Sequence, residues 1–429
     1  MKTLALVAAF FFICQNLSAQ ADHHLSLVSI WNDTSVKAAS GFRYNDLWGW
    51  QANGREYAIL GSSDSIFFID VTNPAKPVRC HAEAGRSTDC INRDVEVGGK
   101  YLYAVADQGF SSLQIFDLSY LPDSVHKVYD EDSICQNAHT VAVDGDRLYL
   151  CKNKRSGLGK LVPLQIVSIA NPTVPEVLGG LQAPIIGGNP AFEYVHEVTI
   201  RNDTAWCSCG DGGLWTYNCS NAFSPKYIGS LTNYPEQGFN HSSCITADGK
   251  HLFFTDENAG KAIKSVDISN PKQPNVKQLF RSNAGAVAHL TYIKGKYLWA
   301  SCYHDGVLCY DISDPENPKE VARYDTYMQN ATGNYQGFAG CWSLYVGLPS
   351  GIVLASDTRN GLYVLQRAAN LAVHSIWPTN ELPATLCYFD LAGKNLGETK
   401  PSANGIYLLL KIYPSGQQTV EKVGMLNAY

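Results

Sequence analysis

The sequence predicts an all-β chain: a seven-bladed β-propeller closed by an N-terminal strand, plus a small C-terminal β-sandwich-like domain. Three observations predict it. First, a proline corner recurs, as DVTNPAKP at Asp70–Pro77, SIANPTVP at Ser168–Pro175, DISNPKQP at Asp267–Pro274 and DISDPENP at Asp311–Pro318. Degraded copies stand at Asp117–Pro122 and Asn218–Pro225. The corners are spaced about 44–51 residues apart, the period of a propeller blade rather than of a helical solenoid. Second, each corner ends a run of β-favouring segments joined by tight turns. Ala288–Asp325 is the clearest run: His289–Ile293, a Lys294-Gly295 turn, Tyr297–Cys302, a His304-Asp305-Gly306 hairpin, Val307–Ile312, the corner, then Glu320–Tyr324. Asp-Gly supplies the positive φ that such a hairpin needs. Third, the last unit lacks a fourth strand while a lone strand precedes the first.

In chain order, Met1–Ala19 reads as a secretory signal, with Lys2, an apolar run Leu4–Cys14 and small residues at Ser18-Ala19. Cleavage is expected after Ala19, Gln20 or Ala21. Residues 1–20 are thus the signal, 22–369 the propeller and 370–429 the tail domain. His23–Trp31 is the lone strand. Unit one holds Tyr44, Asp46-Leu-Trp48-Gly49-Trp50, Glu56–Gly61 and Ile66–Val71; unit two is Arg93–Val125. Unit three opens at Ala138-His139 and includes a basic loop, Lys152–Lys160. Unit four opens at Val195-His196, unit five at Asn240-His241, unit six at Ala288-His289 and unit seven at Cys341-Trp342. Pairing the N-terminal strand into unit seven removes both open edges of the ring. Beyond Asn370 the tail carries Thr385–Leu391, a Gly393 turn, Asn404–Lys411 and Thr419–Val423 as short strands.

Composition excludes some functions. The chain has 429 residues, a net charge of −6 and no basic tract, which argues against a nucleic-acid partner. No segment after the signal approaches a membrane span. Of 13 cysteines, twelve follow the signal region. Most sit on expected inner strands (Cys151, Cys207, Cys209, Cys244, Cys302, Cys309), where a thiol packs as a small hydrophobe. In an exported chain they can also pair, and Cys302 with Cys309 and Cys80 with Cys90 are the pairs to test.

One arrangement points to chemistry. Each unit opens its innermost strand with a polar or aromatic residue: Asp46 or Trp48, Asp94, His139, His196, His241, His289 and Trp342. Four consecutive units use His, out of 11 in the chain. Two antiparallel strands return the chain to the same face, so the turns carrying Asp107, Asp211, Asp256, Glu257, Asp305 and Asp357 belong to the same channel mouth. Imidazoles and carboxylates gathered there suit a ligand or a divalent metal, with His139, His196, His241 and His289 as the metal set. The structural alternative is that the histidines bond neighbouring blades and the Asp residues serve their turns.

Other motifs carry less. His196-Glu197 begins like a zinc-protease helix, but Ile200 stands where the second His belongs and the segment is β. There is no nucleophile elbow and no phosphate loop. Cys207-x-Cys209 lacks a second pair at zinc spacing.

The propeller resembles the LVIVD-repeat proteins, and more closely the bacterial choice-of-anchor B family. The matching pieces are Tyr44-Asn-Asp-Leu-Trp-Gly49, Ala104-Val-Ala-Asp107, Leu113-Gln-Ile-Phe-Asp117, Tyr194-Val-His-Glu-Val198, Phe254-Thr-Asp-Glu257, the corners, Leu348-Pro-Ser-Gly351 and Ser356-Asp357. Asn240-His241 and Ala288-His289 depart from the family pattern. The tail is similar to the C-terminal sorting domain of the Bacteroidetes type IX secretion system, through Tyr388–Gly393, Asn404-Gly-Ile-Tyr407 and Gly416–Val423. These resemblances imply export to the cell surface or medium, with the secretion machinery as a partner of the tail, and imply no reaction. Two functions follow from the residues. One is a binding module for an extracellular protein, glycan or small ligand; the other is a metal-dependent extracellular hydrolase or lyase using the channel-mouth His and carboxylates.

Overall fold

The computed structural model describes residues 25–157, 159–327, 335 and 337–367, and in the tail 385–389, 395–397, 405–412 and 418–425. The signal expected at residues 1–20 lies outside them. Seven four-stranded antiparallel sheets follow one another along the chain and form the blades. Their innermost strands are Tyr44–Ala52, Arg93–Gly98, Val141–Asp144, Glu197–Arg201, Asn240–Ile245, Thr291–Lys294 and Cys341–Tyr345. No helix among the described residues is long and apolar enough to cross a membrane.

The seventh blade closes the ring as its missing strand requires. Leu25–Trp31 pairs antiparallel with Gly361–Arg367, running from Leu25 opposite Arg367 to Trp31 opposite Leu362. The Ser29 hydroxyl donates to the Pro74 carbonyl at 2.5 Å, tying this strand to the first blade's corner.

The corners owe their recurrence to Asx-turn chemistry. The carboxylates of Asp70, Asp117, Asp267 and Asp311 each accept the backbone N–H two residues on, at 2.8–2.9 Å. Such a side-chain acceptor satisfies a donor that the ending strand leaves free, and the prolines that follow remove donors that would extend pairing. Gly229 is required where the fourth blade meets the next corner: a Cβ there would sit 2.5 Å from the Pro271 carbonyl oxygen.

Between blades the faces are apolar. One interface packs Tyr57, Ile59, Phe68, Val95, Leu102 and Phe116 together. The thiols belong to this packing. All twelve cysteines from Cys80 to Cys387 are free, so neither pair singled out for testing, Cys302 with Cys309 or Cys80 with Cys90, is joined. The hairpin register explains the first: Cys302 stands opposite Gly306 and Cys309 opposite Trp299. Cys80 sits on the fourth strand, with its thiol directed at the Phe68 carbonyl.

The propeller, Asp22–Ala368, and the tail from Ala369 are separate compact units. In the tail the described strands form one antiparallel sheet, in the order Asn395–Gly397, Thr385–Phe389, Gly405–Ile412, Gln418–Met425. Among the described residues there is no second layer of the expected sandwich.

Candidate functional site

Three of the four histidines are placed by backbone contacts, and His241 lies within the inner strand Asn240–Ile245 itself. The N–H groups of His139, His196 and His289 donate to Cys151, Ser208 and Ser301 on the second strand of the same blade, at 2.7–2.9 Å. Their carbonyls are held by the preceding blade. Asn92 donates to His139 O at 2.6 Å, the Thr140 hydroxyl to His196 O at 2.7 Å and the Ser242 hydroxyl to His289 O at 2.8 Å. These three imidazoles are therefore located from two blades at once.

The rings form a continuous arc at one end of the channel. Centroids are 4.0 Å apart for His139–His196, 4.2 Å for His196–His241 and 4.2 Å for His241–His289; Trp342 extends the arc at 4.9 Å. The arc stops at blade two because Arg93, the residue equivalent to His139, turns its guanidinium to the carbonyls of Ser62 and Ser87. His196, His241 and His289 are buried. Burial, reinforced by neighbouring imidazoles, pushes the His241 and His289 pKa values down to about 3 and His196 well below its usual value. These rings are neutral at pH 7.

Hydrogen bonds fix two tautomers. His289 Nδ1 lies 2.6 Å from the Trp342 carbonyl, which can only accept, so Nδ1 carries the proton and Nε2 presents a lone pair. His139 Nδ1 lies 2.9 Å from Asp107 Oδ2, and the same reasoning puts its proton on Nδ1. The Nδ1 atoms of His196 and His241 are buried without a hydrogen-bond partner among the described residues.

Glu257 completes the arrangement. Its Oε2 is 3.7 Å from His241 Nε2 and its Oε1 is 3.7 Å from His289 Nε2. The Tyr303 hydroxyl donates to Oε1 at 2.6 Å. Donor atoms of His196, His241 and Glu257 all lie within 4.8 Å of one another.

The other acidic residues divide between channel and turns. Asp46 and Asp94 face the channel just inside the arc, where they and the four histidines bound a neck of about 20 Å³. Asp46 accepts the Val95 N–H at 3.1 Å and Asp94 the Val141 N–H at 2.7 Å. Deeper, with Glu96 and Glu197, they line a segment of about 400 Å³. Burial raises all four, Asp46 to about 6 and Glu96 to about 8. Asp256 turns inward instead, into a fully buried pair with Lys264 at 2.5 Å, where it also accepts from Tyr234. Asp357 caps its own turn through the N–H groups of Arg359 and Asn360, and Asp305 accepts from Ser282, Asn283 and Tyr335. Asp211 is exposed on a groove of about 280 Å³ that Phe192, Glu193, Tyr194 and Phe239 also line. Phe239 meets the His196 ring edge-on at 5.1 Å, so this groove adjoins the arc.

Sequence reasoning did not single out Tyr303, Glu96, Glu197 or the pair Tyr194 and Phe239 as site residues. Glu197 had a usable signal: it follows His196 as Thr140 follows His139, in the tier that Asp94 occupies. Tyr303 had none, since an aromatic residue closing a strand reads as packing.

The family model for the LVIVD repeat matches residues 91–121, 241–281 and 288–326. The chain carries LVIVD repeats. Two of the matched repeats contain His241 with Glu257, and His289 with Tyr303, so four of the mouth residues stand within the repeat itself. No curated protein matches the chain. Among solved structures, the periplasmic gluconolactonase PpgL of Pseudomonas aeruginosa is similar at a TM-score of 0.53 and 12% identity, over 89% of this chain and 95% of that one. The β-propeller domain of Myceliophteria thermophila Cps50 (Swd1) is similar at 0.51 and 11%, over 80% and 98%. At these identities the LVIVD-repeat chain shares with them its propeller fold alone.

Proposed function

We propose that this LVIVD-repeat propeller is an exported binding module that takes its ligand at the channel mouth. The observation that carries the reading is the buried imidazole arc: Nδ1 of His196 and of His241 has no partner among the described residues, and the His196 ring meets Phe239 on the wall of an open groove. Buried polar atoms in a folded protein are ordinarily paired, and two orphans on one wall mark a place where something else supplies the partner. The groove holds about 280 Å³, the scale of a small ligand or one terminal unit of a glycan rather than of a flat protein surface. Its wall combines the aromatic rings of Tyr194 and Phe239 with the acids Glu193 and Asp211, a mixture suited to a hydroxylated ligand. The signal-like start and the tail's likeness to type IX sorting domains support export to the cell surface or medium.

A glycan array and a small-molecule thermal-shift screen on the full chain test this. Hits are expected to weaken at least tenfold in Tyr194→Ala and Phe239→Ala. They should stand unchanged in Tyr120→Ala, at the exposed outer corner of blade two. Hits indifferent to both mouth variants would contradict the reading.

One observation favours the second reading, a metal-dependent hydrolase or lyase. The Asp107–His139 pair, 2.9 Å apart, orients its imidazole through Nδ1, the arrangement that serves a general base. In that reading it would stand beside the metal-binding residues at the mouth.

A further inference from the structure

The contact between Glu257 and the arc is incomplete as protein chemistry. His289 gives its one ring proton to the Trp342 carbonyl, so its Nε2 lone pair faces a carboxylate oxygen at 3.7 Å. That separation is too long for a hydrogen bond, and two lone pairs held face to face repel. His241 Nε2 stands at the same 3.7 Å from the other oxygen. The carboxylate cannot swing away, because Tyr303 holds it at 2.6 Å. His196 and His241 add buried Nδ1 atoms without a hydrogen-bond partner among the described residues. A cation between His196, His241 and Glu257 would take one lone pair from each of the two imidazoles and neutralise the carboxylate.

We infer that His196, His241 and Glu257 hold one divalent transition-metal ion at the channel mouth, with Tyr303 orienting Glu257 and His289 facing the carboxylate from the next blade. The inference rests on the mouth being the ligand site and names what that site carries. Two neutral imidazoles and one carboxylate are the donors of an open three-residue zinc site, and leave a coordination position free for a ligand. Calcium and magnesium require a shell of oxygens that the arc does not offer. The spacing is suitable: tetrahedral bonds of about 2.0–2.2 Å place donors about 3.4 Å apart, close to the distance already present between His241 and Glu257. The Tyr303–Glu257 hydrogen bond is the outer-shell contact expected behind a metal-binding carboxylate. Asp107 and His139 form a separate pair at the arc's end, so the metal set differs from the four histidines that the sequence suggests.

The test uses the full chain, expressed without a His-tag, stripped with chelator, and titrated with ZnCl₂ and separately with CoCl₂. One equivalent of zinc is expected to bind and survive gel filtration. Cobalt should give the intense visible bands of a four- or five-coordinate site. His241→Ala and Glu257→Gln should weaken zinc at least 100-fold. Tyr303→Phe should weaken it about 10–100-fold, and the surface variant His126→Ala not at all. Melting curves confirm that each variant is folded, and the cobalt spectrum of the unaltered chain serves where one is not. Absence of stoichiometric zinc, a weak six-coordinate cobalt spectrum, or unchanged zinc affinity in folded Glu257→Gln would each overturn the inference. If no metal binds but array hits still depend on Tyr194 and Phe239, the metal is wrong and the mouth reading stands. If metal binds but no hit depends on the mouth, the reverse holds.

Discussion

Replacing Lys264 with alanine is expected to destabilise the propeller by about 3–5 kcal/mol, the cost of leaving a buried charge without its partner. Lys264 and Asp256 are completely enclosed and lie 2.5 Å apart. Lys264 also donates to the Glu236 carbonyl at 3.0 Å, and Asp256 accepts from the Tyr234 hydroxyl at 2.9 Å and the Gly238 N–H at 3.1 Å. Truncating the lysine leaves the carboxylate with two neutral donors in an apolar setting formed by Phe254 and Tyr234. Burial already works against the ammonium, holding the Lys264 pKa below the usual lysine value despite the adjacent carboxylate. The double variant Lys264→Met/Asp256→Leu should recover much of the loss, since apolar groups of similar volume often replace a buried pair at little cost. Denaturant unfolding of Lys264→Ala and of the double variant checks this. Equal losses in Lys264→Ala and the double variant would show that the pair's charge is not what matters.

Removing Leu25–Trp31 should have the other large effect. The strand supplies the fourth position of blade seven, and its loss exposes the paired edge of Gly361–Arg367 to solvent and to other chains. It also removes Leu25 from an interior cluster, and Trp31 from its contact with Phe67 at 5.2 Å. A chain starting at residue 33 is expected to melt at least 10 °C lower and to aggregate, because a ring opened at one blade loses the cooperativity of closure. A synthetic peptide of residues 24–33 added in trans should restore part of the melting temperature. An unchanged melting temperature in the shortened chain would refute the closure.

Much of this was legible in the sequence because it is local. The corners are written in Asp or Asn followed by proline, and the structure shows those side chains accepting N–H groups two residues on. The closing strand was legible from an absence, the missing fourth strand of unit seven. The four histidines were legible because each stands at or just before the start of an inner strand, a position that propeller geometry sends to the channel.

What was not legible depends on partners far along the chain. Asp256 and Glu257 are neighbours, and nothing local says which faces the mouth. Lys264, on the next strand of the hairpin, draws Asp256 inward and leaves Glu257 to the arc. Arg93 stands where blades three to six place histidine, but its guanidinium meets the carbonyls of Ser87 and Ser62, 6 and 31 residues away. Whether Cys302 could meet Cys309 depended on the hairpin register, which sets Cys302 opposite Gly306 and Cys309 opposite Trp299. Tyr303 gains its role only from Glu257, 46 residues earlier.

The measurement that tests the account most directly is anomalous diffraction at the zinc edge from crystals of the full chain soaked in zinc. The account predicts one strong peak at the channel mouth, within about 2.0–2.2 Å of a nitrogen of His196, a nitrogen of His241 and an oxygen of Glu257. A mouth with no peak while zinc occupies surface carboxylates elsewhere would contradict it.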